Sequence, residues 1–162
     1  MIASGNQAPP IELPNTDGKR VSLSSLLKKG PVVAAFYKVS CPVCQFTFPF
    51  VERLHKAYGS EHLTVLGISQ DDAADTREFA AEYGITFSSL VDADGYPVSN
   101  AYAITNVPSV FLIAPDGEIV VGEHGFDKQA LESISAELGK HLSRPPAAVF
   151  HTGENIPDHK PG

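Results

Sequence analysis

The residues best suited to chemistry in this sequence are Cys41 and Cys44, the only cysteines among its 162 residues. They form the string CPVC, which directly follows the apolar run 31–37 and directly precedes a helix-length segment at 45–58. We expect a strand to deliver the pair to the N-terminus of a helix. There, unpaired backbone N–H groups and the helix dipole favour a thiolate over a thiol. The pattern therefore predicts a redox-active dithiol.

A structural zinc site is the other chemistry that a Cys-x-x-Cys pair commonly serves. Such a site needs four ligands, usually supplied by a second pair of this kind or by closely spaced histidines. The six histidines of this sequence are scattered, at positions 55, 62, 124, 141, 151 and 159. The cysteines therefore lack the partners of a closed site, and we expect neither a metal nor another cofactor.

Composition narrows the class of protein and its partners. With 43% hydrophobic residues, a chain of this length can bury one core without a stabilising crosslink, so the cysteines are free for chemistry. The net charge of −7 argues against nucleic acid and anionic membranes as partners. Residues 1–10 lack the basic and apolar regions of a signal peptide, and no stretch has the length of a membrane span. We therefore expect a cytoplasmic protein in which any disulfide is transient.

Signals for strands and helices alternate along the chain. Residues 11–13 and 20–23 predict a hairpin, Ser24 or Ser25 is expected to cap a helical turn ending at Lys29, and the apolar run predicts a central strand at 32–37. The later signals are helix 42–58, strand 63–69, helix 73–83, strand 87–91, helix 98–102, strands 109–113 and 118–121, and helix 128–142. This order predicts an α/β fold with a mixed central sheet, helices on both faces and an extra N-terminal β-hairpin.

Three strings carry a resemblance to a known family: FYKVSCPVCQFTFP at 36–49, YAITNVPSVFLIAPDGEI at 102–119 and APPIELPNTDGKRVSL at 8–23. Through them the chain resembles the thioredoxin-fold redoxins. That group holds the alkyl hydroperoxide reductase/thiol-specific antioxidant proteins and the TlpA- and ResA-like thiol-disulfide oxidoreductases. The resemblance implies a thioredoxin-like domain over residues 1–142. Residues 143–162, rich in Pro, Gly and His, form a tail that is either disordered or laid over the domain through Val149 and Phe150.

The resemblance also implies an activity, thiol-disulfide exchange, and a role for each site residue. Cys41 would attack a substrate disulfide, and the more buried Cys44 would resolve the mixed disulfide. Val107 and Pro108 stand where the family has a cis-proline facing the cysteines, and they would shape the substrate groove. Protein or small-molecule disulfides would be the substrates, and a reductase such as thioredoxin reductase, or a thiol donor, would reset the pair.

The sequence departs from the family close to the cysteines. Ala35 and Thr47 stand where relatives often carry a carboxylate, so the sequence offers no base for the proton of Cys44. Ser40 replaces a common tryptophan, which would open the site or change the choice of partner. Lys38 is near enough in sequence to stabilise a thiolate by Coulomb attraction. A lysine at the end of a strand is also often simply solvated.

Two other functions on the same fold are alternatives. A peroxiredoxin-type thiol peroxidase would use Cys44 as its peroxidatic residue. Its supporting Thr or Ser, its Pro and its Arg correspond here to Cys41, Tyr37 and Pro108, so that machinery is largely replaced. A Sco-like copper chaperone would need a Cys-x-x-x-Cys pair and a distant histidine. The cysteine spacing does not match, although His124 would be the candidate ligand.

Overall fold

The predicted alternation of strands and helices is present in the structure, a computed structural model that describes residues 1–60 and 62–162. The strands are β1 (Glu12–Pro14), β2 (Arg20–Ser22), β3 (Val32–Tyr37), β4 (Thr64–Ser69), β5 (Ser89–Val91), β6 (Ser109–Ile113), β7 (Ile119–His124), β8 (Phe126–Asp127) and β9 (His159–Lys160). The helices are α1 (Leu23–Leu27), α2 (Pro42–Tyr58), α3 (Ala73–Tyr83), α4 (Pro97–Ala101) and α5 (Lys128–His141). In these two ranges no helix has both the length and the apolar character to cross a bilayer.

Five strands form the central sheet, in the order β5-β4-β3-β6-β7. Strands β3, β4 and β5 are parallel, whereas β6 and β7 run antiparallel to their neighbours, so the sheet is mixed as predicted. Strand β3 lies at the centre, and all six of its residues are buried. Because both faces of β3 are buried, neither set of alternate residues has to be polar, and the strand is a continuous apolar run.

Alternate residues of β3 enter two separate cores, one on each face of the sheet. Val33, Ala35 and Tyr37 face the core that contains the buried residues of α2 and α5. The other three face a core that contains Leu23 of α1 and Val98 of α4. Helices thus cover both faces, and the separate hairpin of β1 and β2 is also present. The predicted thioredoxin-like α/β architecture is confirmed.

Helix α2 carries the cysteine pair and spans residues 42–58 as predicted, with Cys41 as its N-cap and Gly59 as its C-cap. Pro49 lies within the helix without ending it. On its buried face, Phe48 and Val51 are completely buried. These two residues pack toward the sheet.

Several boundaries differ from the sequence prediction for local physical reasons. Helix α1 is capped by Ser22, not by Ser24 or Ser25, because Ser22 has extended backbone and its hydroxyl accepts the Ser25 N–H at 3.3 Å. Strand β7 continues to His124, since its partner β6 offers paired residues as far as Ser109. The start of α1 is therefore set by a local cap, and the end of β7 by pairing with a neighbouring strand, which local sequence does not reveal.

The tail of residues 143–162 lies over α2 and α5, the second of the two arrangements considered from the sequence. Val149 is buried and Phe150 packs on Phe50, with ring centroids 5.0 Å apart. Arg53 of α2 forms two short hydrogen bonds, of 2.7 and 2.8 Å, with the carboxylate of Glu154. Farther along, β9 pairs with β8, a contact that the sequence did not indicate.

Candidate functional site

Cys41 occupies the capping position of α2, where its sulfur accepts the Cys44 N–H at 3.1 Å. The turn after β3 brings it there, closed by a hydrogen bond from the Cys41 N–H to the Lys38 carbonyl at 3.2 Å. Pro42 fits the first helical position, since an N–H there would lack a helical partner. A backbone donor and the positive end of the helix dipole therefore face a partly exposed sulfur. This is an environment suited to a thiolate nucleophile.

Cys44 lies one turn farther into α2 and is completely buried. Burial raises the pKa of its thiol well above the ordinary range, and the hydrogen bond and charge of Cys41 raise it further. The charge of Asp71 acts in the same direction, whereas a backbone hydrogen bond from Lys38 lowers the pKa. The two sulfurs therefore differ in access, and the thiol of Cys44 is made harder to ionise by its burial.

The loop before β6 closes the site from the other side. The Val107–Pro108 peptide bond is cis, which confirms the prediction made for it. The carbonyl oxygen of Val107 lies 3.5 Å from the Cys41 sulfur. Directly after the proline, Ser109 pairs with Phe36 of β3, so adjacent strands carry the two halves of the site. Val107 and Cys41 are thus in contact, and the cis bond to Pro108 lies next to that contact. The role that the resemblance implies for Val107 and Pro108, shaping a substrate groove, stays a prediction.

The carboxylates that many relatives place near the buried cysteine have no equivalent at the predicted positions. Ala35 is a buried sheet residue paired with Gly67 and Val110. Thr47 is buried in α2, where its hydroxyl donates to the Val43 carbonyl at 2.6 Å. Both positions therefore serve packing and helix structure.

Asp71 is the carboxylate that sequence reasoning missed. It follows β4, and its Oδ2 accepts the N–H of Val39, which follows β3, at 2.8 Å. Its charge raises the pKa of Cys44 and contributes to the rise in the pKa of Tyr37 to about 12, for which burial is the main cause. The parallel pairing of two predicted strands was the available signal, because residues just past adjacent parallel strands meet at one sheet edge.

Lys38 reaches the site through its main chain. Its carbonyl holds the Cys41 N–H, and its backbone hydrogen bond favours the thiolate form of Cys44. The predicted action of the Lys38 ammonium on a thiolate stays a prediction.

His124, the candidate ligand of the copper-chaperone alternative, lies at the exposed end of β7 opposite Ser109. Its Nδ1 is 3.2 Å from the side-chain amide of Asn106. Across residues 1–60 and 62–162, no three His, Cys, Asp or Glu side chains gather as metal ligands would. The partner observed for His124 is therefore an amide.

Comparisons with known proteins agree with this geometry. Residues 4–121 match the model of the AhpC/TSA family. The thiol-disulfide oxidoreductase ResA of Bacillus subtilis is 32% identical over 120 residues, which cover 74% of this chain and 66% of that protein, just under two thirds. ResA of Halalkalibacterium halodurans is 30% identical over 136 residues, covering 83% of this chain and 76% of the relative.

Solved structures show the same fold at lower sequence identity. The thioredoxin domain of a thiol-disulfide oxidoreductase from Bacteroides vulgatus superposes with a TM-score of 0.74 at 24% identity, covering 85% of this chain and 98% of that one. Peroxidoxin BcpB from Mycobacterium tuberculosis gives 0.72 at 24% identity, covering 84% and 98%. The named ResA relatives support an oxidoreductase role. Because the family model spans most of its length, this chain belongs to the AhpC/TSA family.

Proposed function

We propose that this protein catalyses thiol-disulfide exchange through the couple formed by Cys41 and Cys44. The observation that carries the proposal is the inequality of the two sulfurs: Cys41 is partly exposed and caps a helix, whereas Cys44 is completely buried one turn behind it. A nucleophile must be accessible and ionisable, and a resolving thiol must wait within reach. The ResA relatives, whose name states this activity, support the same reading.

The reaction takes two steps, formation of a mixed disulfide and its resolution. In the first, the Cys41 thiolate attacks one sulfur of a substrate disulfide, so that a Cys41–substrate bond forms and the other substrate sulfur leaves as a thiolate. In the second, Cys44 loses its proton and attacks the Cys41 sulfur, which releases the remaining substrate thiolate and leaves the pair oxidised. Two electrons pass to the substrate. A reductase such as thioredoxin reductase, or a thiol donor, returns two electrons by the reverse exchange.

The environment of Cys44 couples the second step to the first. The hydrogen bond and charge of Cys41 both raise the pKa of Cys44 in the reduced protein. Once the Cys41 sulfur is joined to substrate it carries no charge, so its Coulomb contribution disappears and Cys44 becomes easier to ionise. Formation of the mixed disulfide thus prepares the thiol that resolves it.

The peroxidase alternative makes opposite demands on the same residues. It would need Cys44 to be ionised and open to peroxide, but Cys44 is buried and its pKa is raised. Tyr37, at the position of the peroxidase proline, is buried with its hydroxyl 2.8 Å from that of Ser89. These contacts favour disulfide exchange over peroxide reduction.

Single-cysteine variants test the proposal. With thioredoxin reductase or dithiothreitol as donor, the native protein should reduce insulin or a small disulfide, and Cys41→Ser should abolish this activity. Cys44→Ser should accumulate a Cys41–substrate mixed disulfide, visible by intact-protein mass spectrometry. Hydrogen peroxide consumption should be slow in all three proteins. Rapid peroxide turnover that survives Cys41→Ser but not Cys44→Ser would establish the peroxidase instead.

A further inference from the structure

Residues 159–162 run toward Val107, the residue whose carbonyl lies against the reactive sulfur. Strand β9 pairs with β8, with Lys160 opposite Phe126, and the Lys128 N–H donates to the Asp158 carbonyl at 2.9 Å. The ammonium of Lys160 lies 4.8 Å from the ring centroid of Phe46, which belongs to the second turn of α2. Backbone pairing and this cation–π contact direct the segment toward the N-terminal end of α2.

The segment reaches Val107. Gly162 lies so close that a methyl group added to it would collide with the Val107 carbonyl oxygen and would approach the Asn106 side-chain amide to 3.1 Å. The same Val107 oxygen is 3.5 Å from the Cys41 sulfur. One backbone carbonyl therefore contacts both the nucleophile and the tail.

An extended chain that carries its disulfide to Cys41 would pass this carbonyl. Peptides that bind as added strands obtain affinity from main-chain hydrogen bonds to an exposed edge. Gly162 occupies that space at Val107, so an extended chain and the tail compete for it. A small disulfide needs only the partly exposed sulfur of Cys41 and meets no such competition.

The tail is held much more firmly upstream than at this end. Val149 is buried, and Glu154 is bound to Arg53 by two short hydrogen bonds. Farther along the tail, β9 has only two residues, and so has its partner strand β8. Most residues from 151 to 162 are exposed. Residues 159–162 can therefore lift from Val107 while the upstream anchor stays in place.

We propose that residues 159–162 set the substrate class of the site by closing the groove at Val107 to extended protein chains while leaving Cys41 open to small disulfides. The inference rests on the proposed exchange activity. Protein disulfides then react only through the fraction of molecules in which the segment has moved away.

The test compares a protein disulfide with a small one. The native protein, a deletion of residues 159–162 and Gly162→Ala are assayed for kcat/KM with insulin and with oxidised glutathione. Both variants should raise the value for insulin by about tenfold and change that for glutathione by less than about twofold, as expected when a minor open state limits one substrate only. Thr152→Ala is the control, because Thr152 is an exposed residue of the tail outside residues 159–162, and it should leave both values unchanged.

A second measurement does not depend on turnover. In the Cys44→Ser background, Cys41 is alkylated with iodoacetamide and with a maleimide carrying a large polyethylene glycol. Deletion of 159–162 or Gly162→Ala should accelerate the large reagent selectively. Equal acceleration of both reagents, no acceleration, or a loss of insulin reduction would overturn the proposal. Absence of turnover with either substrate in every protein would instead remove the exchange activity, and the alkylation ratio would still decide the role of the segment.

Discussion

The two ends of helix α2 contrast in how their free backbone and side-chain groups are used. At the N-terminal end, a helix N–H is satisfied by the sulfur of Cys41, an atom that also reacts. At the C-terminal end, polar groups are satisfied by the tail: the Tyr58 hydroxyl accepts the Ala147 N–H at 2.5 Å, and Arg53 binds Glu154. The sulfur at the N-terminal end stays open to small reagents, whereas the polar groups at the C-terminal end are closed by the tail. The helix thus separates reactivity from stability along its own length.

The strongest test of the contrast is the reactivity of the two thiols. Iodoacetamide at mildly acidic pH should label Cys41 faster than Cys44 by at least about a hundredfold, because alkylation needs an accessible thiolate. Cys44 is buried and its pKa is raised, so it should react only after local opening. Peptide mass spectrometry of partially labelled protein gives both rates. Equal labelling, or faster labelling of Cys44, would reverse the assigned roles.

A second test addresses the closed end of the helix. Tyr58→Phe removes a buried hydroxyl that also donates to the Ser135 carbonyl at 2.9 Å. The Ser135 carbonyl and the Ala147 N–H would then lack their hydrogen-bond partner, which should lower the free energy of unfolding by about 1–3 kcal/mol. Urea denaturation measures this change, and the exposed Tyr96→Phe serves as control. If the ends are separate, the labelling rate of Cys41 should not change, and a large change there would contradict the separation.

A third test concerns the carboxylate at the open end. Asp71→Asn removes the charge that raises the pKa of Cys44 but keeps an oxygen to accept the Val39 N–H. The pKa of Cys44 should fall, and resolution of the mixed disulfide should become faster by about fivefold, the size of a partly screened charge interaction. Single-turnover kinetics across pH measure both, with Asp75→Asn as control. Slower resolution would instead show that Asp71 takes the proton from Cys44.

The smallest effect on stability is expected when acid protonates Glu154, whose pair with Arg53 holds the tail on α2. Hydrogen bonds from Arg53, followed by the His151 N–H, lower the pKa of Glu154 to about 2, below the ordinary value of about 4.3. The stabilisation from the pairing of Glu154 with Arg53 is therefore complete above the pKa that Glu154 has in the unfolded chain. It is lost as pH falls toward about 2, the pKa of Glu154 in the folded protein. Melting temperatures of the native protein and Glu154→Gln should differ by a few degrees at neutral pH and converge in acid. Glu137→Gln, which removes an exposed pair, should show no such convergence.

The sequence predicted the parts of the fold whose signals are local. Strand β3 has a continuous apolar run, α2 has a clear start at Pro42 and end at Gly59, and their junction positions Cys41 and Cys44. The position of the cis-proline came from the family resemblance. These features are encoded by neighbouring residues or by a recognisable string.

The features that the sequence did not predict join residues far apart in the chain. Asp71 meets Val39 across 32 positions, and Glu154 meets Arg53 across 101. Strands β8 and β9 have two residues each, too few to show an alternating pattern. Their pairing also joins distant residues, Phe126 with Lys160 and Asp127 with His159.

The hydrogen bond that caps α2 changes whenever Cys41 reacts, because its acceptor is the reactive sulfur. The Cys44 amide proton is held by the Cys41 sulfur, and a thiolate is a far better acceptor than the sulfur of a thioether or a disulfide. Each time Cys41 reacts, this amide loses its strongest acceptor, and it regains that acceptor when the thiolate returns. The exchange rate and chemical shift of this single amide proton should therefore follow the redox state of the protein, with no label attached to either sulfur.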